Sequence, residues 1–222
     1  MVELENIAFT YPGGRFRLNI PDLAVAPGEK LAVVGPSGTG KTTLLNLVAG
    51  ILRPDAGSIR VAGTDLGALS EDAVRRFRAG SIGFVFQNFA LLDYLSAREN
   101  ILYPYRITSA LKLDADARMR AEALAKACGL ADKLDRHPNA LSQGEQQRVS
   151  ICRALVTQPK LVLSDEATGN LDPENKTLIL DLLFKQAREA EASVLAVTHD
   201  HALLPRFDRV IDFAQFRAEA IA

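Results

Sequence analysis

The sequence predicts an α/β protein in which a mostly parallel sheet carries an antiparallel β flap and an inserted helical subdomain. Residues 31–35 are apolar throughout, which is typical of a parallel strand that is buried on both faces, and residues 161–167 form an apolar strand with acidic residues at its end. Residues 2–10 and 16–25 instead alternate apolar and polar side chains, as strands with one solvated face do. Residues 88–158 have mainly helical periodicity, so we expect a helical block between two parts of the sheet.

The first half of the chain supplies the flap and the start of the parallel sheet. A glycine-rich loop after residue 35 leads into a predicted helix over 41–50. Residues 57–63 are expected to form a strand that pairs with the first two, and residues 81–86 form the next apolar strand. Antiparallel and parallel pairing therefore meet in this part of the chain.

The second half returns to the parallel sheet after the helical block. Residues 113–128 are rich in Ala, Leu, Arg and Glu, and Gly129 marks the end of that helix. A longer helix is predicted over 173–191, where a proline occupies the favourable first turn. Residues 193–200 and 209–213 predict two further strands.

The length of 222 residues, with 48% hydrophobic and 24% charged residues, is sufficient to bury a substantial core. It suits one domain over 1–222, with a core from 1–87 and 159–222 and a helical subdomain over 88–158. The chain has 26 basic and 27 acidic residues and a net charge of −1. This balance gives no support to a nucleic-acid binder, so we expect no nucleic-acid partner.

Composition also bears on the compartment. The N-terminal MVELENIAFTY lacks a basic segment followed by an apolar core, and no apolar run approaches the ~18–20 residues that span a bilayer. Cys128 and Cys152 lie in apolar helical patterns without metal-ligand spacing, which favours reduced core thiols over a disulfide or a metal pair. We therefore expect a cytoplasmic protein, and docking on a membrane protein remains open.

The strongest functional signal is GPSGTGKT, which begins at Gly35 and matches the phosphate-loop pattern between a strand and a helix. Gly35, Gly38 and Gly40 let the backbone curl so that its N–H groups face a phosphate. Lys41 adds a charge on the outer phosphates, and Thr42 offers a hydroxyl to Mg²⁺. The alternative is a glycine-rich turn without function, but pattern and context together favour a P-loop NTPase core. The predicted phosphate-binding residues are Gly35, Pro36, Ser37, Gly38, Thr39, Gly40, Lys41, Thr42 and Thr43.

A carboxylate pair follows the apolar strand LVLS. Asp165 would lie at the carboxyl end of that strand, where ligands bind in open α/β sheets, and would hold Mg²⁺ directly or through water. Glu166 would lie near the terminal phosphate and could orient and deprotonate a water for in-line attack. The alternative is a solvated acidic pair in a loop.

Isolated polar and aromatic residues gain meaning from their positions. Gln87 and His199 each follow a predicted strand at the same edge as the phosphate loop. Gln87 would reach Mg²⁺ or the attacking water, and His199 would hydrogen-bond the terminal phosphate, although either residue alone is more often structural. Tyr11, beside the flap turn, either stacks on a base or packs against that turn.

The segment LSQGEQQR begins a second helix, for which Ser142 is placed as the N-cap. A helix start of this kind is a possible second anion site. Together GPSGTGKT, Gln87, LSQGEQQR, LVLSDEAT, GNLD and His199 occur in the order and approximate spacing of the ATP-binding-cassette (ABC) ATPases. The resemblance covers nearly the whole chain.

This resemblance implies how the two anion sites are used. In ABC ATPases the signature segment caps the ATP that is held by the phosphate loop of a second copy, which implies a head-to-tail dimer with ATP and Mg²⁺. Ser142 and Gly144 would contact the terminal phosphate in trans, Asp172 would couple the two sites, and Tyr11 matches the aromatic that stacks on adenine. The trans segment implied by the resemblance comprises Ser142, Gln143, Gly144 and Glu145.

The sequence departs from the family pattern at several positions. Gln143 replaces a usual glycine and Glu145 a usual glutamine, and both changes could alter the trans contact. Ala167 replaces the usual proline after the catalytic carboxylate, without removing a charge. The C-terminal segment DFAQFRAEAIA lacks the glycine turn that commonly follows the last strand.

DEATGNLD and residues 84–104 resemble a bacterial branch of lipoprotein-releasing, macrolide-exporter and cell-division ATPases. This implies a motor subunit located peripherally on the inner face of the cell membrane, with an integral membrane permease docking near residues 88–105. Phe84 and Phe86 are expected in the strand core. Residues expected to line the docking groove are drawn from Phe89, Leu91, Leu92, Tyr94 and Leu95.

Two other functions stay open at this point. A soluble ABC protein of DNA repair would carry a long coiled-coil insertion, and one of translation would usually have two cassettes; this chain has neither feature. A regulatory subunit that binds ATP without hydrolysing it is suggested by the altered signature, but Glu166 and His199 are both present.

Overall fold

The computed structural model describes residues 1–13, 16–169, 171 and 173–216. Asp172, expected to couple the two ATP sites, lies outside the described residues, as do residues 217–222 of the C-terminal segment. Among the described residues, none of the helices combines the length and the apolar character needed to cross a bilayer. Cys128 and Cys152 are both free and buried.

A five-stranded parallel sheet forms the centre of the molecule, as predicted. Its strand order is β6-β7-β8-β3-β9, and every described pairing within it is parallel. The phosphate loop and the two segments after β7 and β8 therefore leave the sheet at one edge. The strands are β3 (Lys30–Val34), β6 (Ile82–Phe86), β7 (Leu161–Asp165), β8 (Ser193–Val197) and β9 (Arg209–Asp212).

The predicted flap is a four-stranded antiparallel sheet with the order β2-β1-β4-β5. The strand expected over 57–63 pairs with the first strand but not with the second, because the first strand lies between them. The short fourth strand of this sheet has no counterpart in the sequence prediction. The flap strands are β1 (Val2–Thr10), β2 (Arg17–Val25), β4 (Ala56–Val61) and β5 (Thr64–Asp65).

Six α-helices are present among the described residues. The sequence prediction missed α2, although Ser70 accepts a hydrogen bond from the Ala73 N–H and two acidic residues occupy its first turn, both of which are start signals. Gly129, with φ of 67°, follows the end of α4 as expected. The helices are α1 (Lys41–Val48), α2 (Glu71–Ser81), α3 (Ala97–Leu102), α4 (Ala115–Ala127), α5 (Gln143–Leu155) and α6 (Pro173–Glu189).

Three hydrophobic clusters hold these layers together. The first joins the flap to β3 and α1, and the second packs α5 and α6 on β7 and β8. The buried members of the third all lie between Ala97 and Val156, so the helices of this segment have a core of their own. The helical subdomain boundaries at residues 88 and 158 stay a prediction.

Candidate active site

The loop between β3 and α1 leaves the start of α1 available to an anion. Gly40 is the N-cap residue with φ of 101°, no side chain caps the helix, and its first turn carries no acidic residue. The first N–H groups of a helix lack intrahelical partners and carry its positive partial charge. An added Cβ at Gly40 would lie 2.6 Å from Cζ of Phe16, so both the left-handed backbone and the close ring require glycine here.

The side chain of Lys41 folds back over the phosphate loop and is fixed there by hydrogen bonds. Its ammonium donates hydrogen bonds to the carbonyl oxygens of Gly35 (2.7 Å) and Pro36 (2.8 Å), and only 8% of the residue is exposed. Thr39 is buried, and its hydroxyl donates to the Pro36 carbonyl at 2.9 Å. Thr39 therefore fixes the loop with its side chain, while Lys41 presents a positive charge whose position is already set.

Thr42 and Asp165 meet at the carboxyl end of the sheet. The Thr42 hydroxyl donates to Oδ2 of Asp165 at 3.2 Å. Burial raises the pKa of the Asp165 carboxyl, the neighbouring Glu166 acts in the same direction, and the Thr42 hydrogen bond and Lys41 oppose this shift. A bound cation would offset the cost of burying this charge. One carboxylate and one hydroxyl are a set that fits Mg²⁺, which completes its shell with water and phosphate oxygens.

Glu166 turns out of β7 with a strained backbone. Its φ is 50°, which is uncommon for a residue with a side chain. Two backbone bonds fix it: its N–H donates to the Val197 carbonyl (3.0 Å), and its carbonyl accepts from the Gly169 N–H (2.8 Å). Oε1 of Glu166 lies 3.1 Å from Nδ1 of His199. His199 thus contacts the predicted base itself, a contact that the sequence reasoning did not foresee.

Gln87 follows β6, whose last residue Phe86 pairs with Asp165. An added Cβ at Gly169 would lie 2.8 Å from Nε2 of Gln87, so the amide packs against the turn after Glu166. The expected contact of Gln87 with Mg²⁺ or the attacking water stays a prediction.

Aromatic rings form one wall of the site. Tyr11 is 37% exposed, its hydroxyl lies 3.1 Å from Oγ1 of Thr43, and its ring meets Phe9 edge-on with centroids 4.8 Å apart. The Tyr11 ring therefore both packs at the flap turn and borders the phosphate loop. Phe16, which the sequence reasoning missed, lies 5.9 Å from the Tyr11 ring and covers Gly40. An aromatic residue directly before the second flap strand was the available signal.

These groups enclose a cleft of about 440 Å³. Its volume and its combination of an aromatic wall, glycine-lined helix start, lysine and carboxylates fit a nucleoside triphosphate. Five predicted site residues are not part of this lining: Gly35, Pro36, Thr39, Gln87 and His199. The cleft is lined by Tyr11, Phe16, Ser37, Gly38, Gly40, Lys41, Thr42, Thr43, Asp165, Glu166 and Val197.

The second predicted anion site, at the start of α5, is not part of this cleft. Ser142 caps the helix by accepting from the Glu145 N–H (3.3 Å), and the Glu145 carboxylate accepts from the Ser142 N–H (2.8 Å). Gly144 lies close to α6, since an added Cβ would be 3.9 Å from Oδ1 of Asn175. Contact of residues 142–145 with a nucleotide in trans stays a prediction.

Arg153 connects α5 to the loop after Gln87. Its guanidinium donates to the carbonyl of Phe89 at 2.7 Å and also to that of Ala90. Both carbonyls belong to residues with positive φ, 60° at Phe89 and 48° at Ala90. Burial lowers the pKa of Arg153 to about 10, so it stays cationic at neutral pH.

A second cavity of about 630 Å³ lies between the sheet and the helical segment, and we call it the lateral groove. Phe84 and Phe86 stack with ring centroids 5.2 Å apart along its wall. Phe84 also packs against the first hydrophobic cluster, as expected, but both side chains are only partly buried because they border the groove beside the edge strand β6. The candidates for the groove lining were wrong, because none of Phe89, Leu91, Leu92, Tyr94 and Leu95 is among its lining residues, and Tyr94 is 73% exposed. Residues that line the groove include Phe84, Phe86, Ala90, Tyr103, Pro104 and Ile107.

An uncapped glycine-rich helix start with a buried lysine, facing a carboxylate pair at the end of a parallel strand, defines a phosphate-loop nucleotide-binding protein. The family model described as ABC transporter matches residues 18–169, more than half of the chain. The chain belongs to the ABC transporter family and is an ATPase of that family.

Two relatives match this chain over nearly its full length. The lipoprotein-releasing system ATP-binding protein LolD 1 of Rhodospirillum rubrum is 42% identical over 222 residues, which cover 99% of this chain and 97% of the relative. The lipoprotein-releasing system ATP-binding protein LolD of Chromohalobacter salexigens is 44% identical, over 98% of this chain and 92% of the relative.

Solved structures agree with this assignment. The ATP-binding cassette MJ0796, a dimer in a post-hydrolysis state bound to ADP and Pi, superposes with a TM-score of 0.82 at 32% identity, over 96% of this chain and 95% of that one. CbiO1 from Clostridium perfringens, part of the ABC transporter complex cbiONQ, superposes with a TM-score of 0.84 at 28% identity, over 96% and 85% of the two chains.

Proposed function

We propose that two copies of this chain close head-to-tail on two ATP molecules and so drive an integral membrane complex that releases lipoproteins. The observation that carries the proposal is that the start of α5, the second predicted anion site, lies outside the cleft that contains the first. The cleft holds the phosphate loop and the carboxylates, whereas residues 142–145 begin a helix outside its lining. A second copy would supply the missing segment, and the dimeric MJ0796 cassette supports this arrangement.

Within each cleft, residues of the chain would divide the work of hydrolysis. The loop N–H groups and Lys41 would bind the outer phosphates. Thr42 and Asp165 would hold Mg²⁺, which would supply positive charge against the phosphate oxygens. Glu166 accepts a proton from water while the water oxygen attacks the terminal phosphorus. The bond from that phosphorus to the bridging oxygen breaks, and ADP and phosphate result.

His199 would keep the base in place. Its 3.1 Å contact with Glu166 opposes rotation of that carboxylate, and the two backbone bonds of Glu166 fix the main chain. A base that is held in one orientation loses less entropy when water and phosphate are aligned.

The nucleotide part of the proposal is tested with Glu166→Gln. An amide cannot accept the proton, so turnover should fall by about 10²–10⁴-fold. The variant should form a stable dimer in Mg-ATP, measured by light scattering after size exclusion. Adding Lys41→Ala should return it to monomer. A Glu166→Gln protein that stays monomeric with Mg-ATP contradicts head-to-tail closure, and normal turnover contradicts the role of Glu166.

The membrane part of the proposal concerns the lateral groove, where an apolar element of an integral membrane permease would dock. The stacked Phe84 and Phe86 offer the apolar wall, and residues 90, 103 and 104 lie within the segment 88–105 expected to dock. The names of the two relatives support lipoprotein release as the process served. The protein would then be peripheral to the inner face of the membrane.

A matched pair of tyrosines tests the docking surface. Tyr103 lines the groove, whereas Tyr94 is exposed outside it. With tagged Glu166→Gln protein and Mg-ATP, Tyr103→Ser should reduce the co-purified integral membrane protein at least about fivefold, and Tyr94→Ser should not. A partner with few spans and a large external domain supports the proposal, a many-span partner points to a conventional transporter, and exclusively soluble partners contradict membrane docking.

A further inference from the structure

The first turn of α5 carries a negative charge at the place where the proposed trans phosphate would bind. Glu145 occupies a position where ABC ATPases usually have a neutral glutamine. Its side chain is 16% exposed, and its carboxylate accepts a hydrogen bond from the Ser142 N–H. This bond, together with those from Lys133 and the Ser142 hydroxyl, lowers the pKa of Glu145, so the group is ionised at neutral pH.

A carboxylate in this turn opposes phosphate binding in two ways. It repels the incoming anion, and it occupies a backbone N–H that the helix start could otherwise direct at that anion. The α1 start, by contrast, has no acidic residue in its first turn.

Lys133, in the connection between α4 and α5, contacts this carboxylate. Its ammonium lies 3.2 Å from Oε1 of Glu145, and the Lys133 side chain is 22% exposed. Its other acidic contact, at 3.6 Å, is with Asp132, which is 75% exposed and well screened by water. The sheltered charge next to Lys133 is therefore Glu145.

We propose that Lys133 is a positioning residue that offsets the charge of Glu145, so that an acidic signature helix still accepts the terminal phosphate of ATP held by a second copy. This inference rests on the proposed function. The helix cap does not need Lys133, because the reciprocal bonds join only Ser142 and Glu145. Glutamine serves in the same capping arrangement, so Glu145→Gln removes the charge and keeps the cap.

The test is a double-mutant cycle in the Glu166→Gln background, read as the Mg-ATP concentration that gives half-maximal dimer. Lys133→Ala should weaken each composite site about threefold, as expected for a partly exposed ion pair. Because a dimer holds two such sites, the closure constant should fall about tenfold. Lys133→Arg should restore it, and Lys126→Ala, an exposed lysine on α4 of the same charge, should have no effect.

Two further measurements separate electrostatics from structure. In the Glu145→Gln background, Lys133→Ala should cause no further loss, because no charge remains to be offset. The effect of Lys133→Ala alone should shrink between about 0.05 M and 0.5 M salt, since the screening length falls with ionic strength. A purely structural loss would persist in both conditions.

The outcomes distinguish this inference from the proposed function. If Glu166→Gln does not dimerise with Mg-ATP, the proposed function fails first. If it dimerises and Lys133→Ala closes as readily as the parent at low salt, the role of Lys133 is refuted. A loss of equal size with Glu145 intact and in the Glu145→Gln background would refute it as well.

Discussion

The two helices that are proposed to meet one ATP from opposite sides begin in opposite ways. Helix α1 starts at a left-handed glycine, with no side-chain cap and no acidic residue in its first turn. Helix α5 starts at Ser142 with a reciprocal cap from Glu145. The first leaves N–H groups without side-chain partners, whereas the second has its own carboxylate as a partner.

In the proposed dimer, this difference predicts which of the two helix starts binds the phosphates of ATP first. An uncapped helix start with a fixed lysine is organised for phosphate before any ligand arrives, so a single copy has the means to hold ATP. The start of α5 should attract an anion only weakly, because it is capped and its Glu145 carboxylate is offset by Lys133. The α5 start is therefore suited to a contact that forms late and opens readily, as a cyclic motor requires.

The largest effect should come from removing the charge at the stronger start. Lys41→Ala leaves the loop without the ammonium that faces the outer phosphates, so turnover should fall by about 10²–10³-fold or more. Steady-state phosphate release measures this loss, and Lys126→Ala is the charge-matched control. Normal hydrolysis by Lys41→Ala would show that the cleft is not the catalytic site.

Alanine substitutions at Gly40 and Gly144 compare the two helix starts directly. Gly40→Ala places a Cβ 2.6 Å from Phe16 on a backbone with φ of 101°, and should lower the free energy of unfolding by about 1–3 kcal/mol and weaken ATP binding by the monomer. Gly144→Ala meets nothing nearer than 3.7 Å in an ordinary helical conformation, so stability should be kept or raised. Chemical denaturation measures both, and equal losses would contradict the contrast between the two starts.

The smallest effect should come from the cap of α5. Ser142→Ala removes the side-chain acceptor for the Glu145 N–H, which should cost about 1 kcal/mol of stability. ATP binding by the monomer should stay unchanged, because the cleft does not include this turn. Titration with a fluorescent nucleotide measures ATP affinity, and chemical denaturation measures stability. A loss of ATP affinity in the monomer would contradict the position of Ser142 outside the cleft.

Much of this could be predicted from the sequence because the elements obey local rules. The phosphate loop, the carboxylate pair after an apolar strand and the Ser142 cap were predictable because each is formed by residues that are close together in the sequence. What escaped prediction depends on packing between distant segments. Phe16 reaches Gly40 only because the flap folds back, and the contact of His199 with Glu166 needs β7 and β8 side by side.

The partial exposure of Phe84 and Phe86 has a similar origin. An apolar strand that is central is covered on both faces, whereas β6 lies at the edge of the sheet. Local periodicity does not reveal strand order, so it could not show that the aromatic pair, although Phe84 packs against the core, also lines the lateral groove. Helix α2, by contrast, carried readable start signals at Ser70 and in its first turn.

The bonds from Arg153 give helix α5 the properties of a rigid lever. Gln143 begins α5, and Arg153 lies in its last turn, about 15 Å further along at about 1.5 Å per residue. The first turn of α5 carries the segment proposed to contact a second copy. In the last turn, Arg153 donates hydrogen bonds to the carbonyls of Phe89 and Ala90. In the proposed dimer, a tilt of α5 at its first turn would therefore be transmitted through Arg153 to the chain beside Gln87, at the carboxyl end of the sheet.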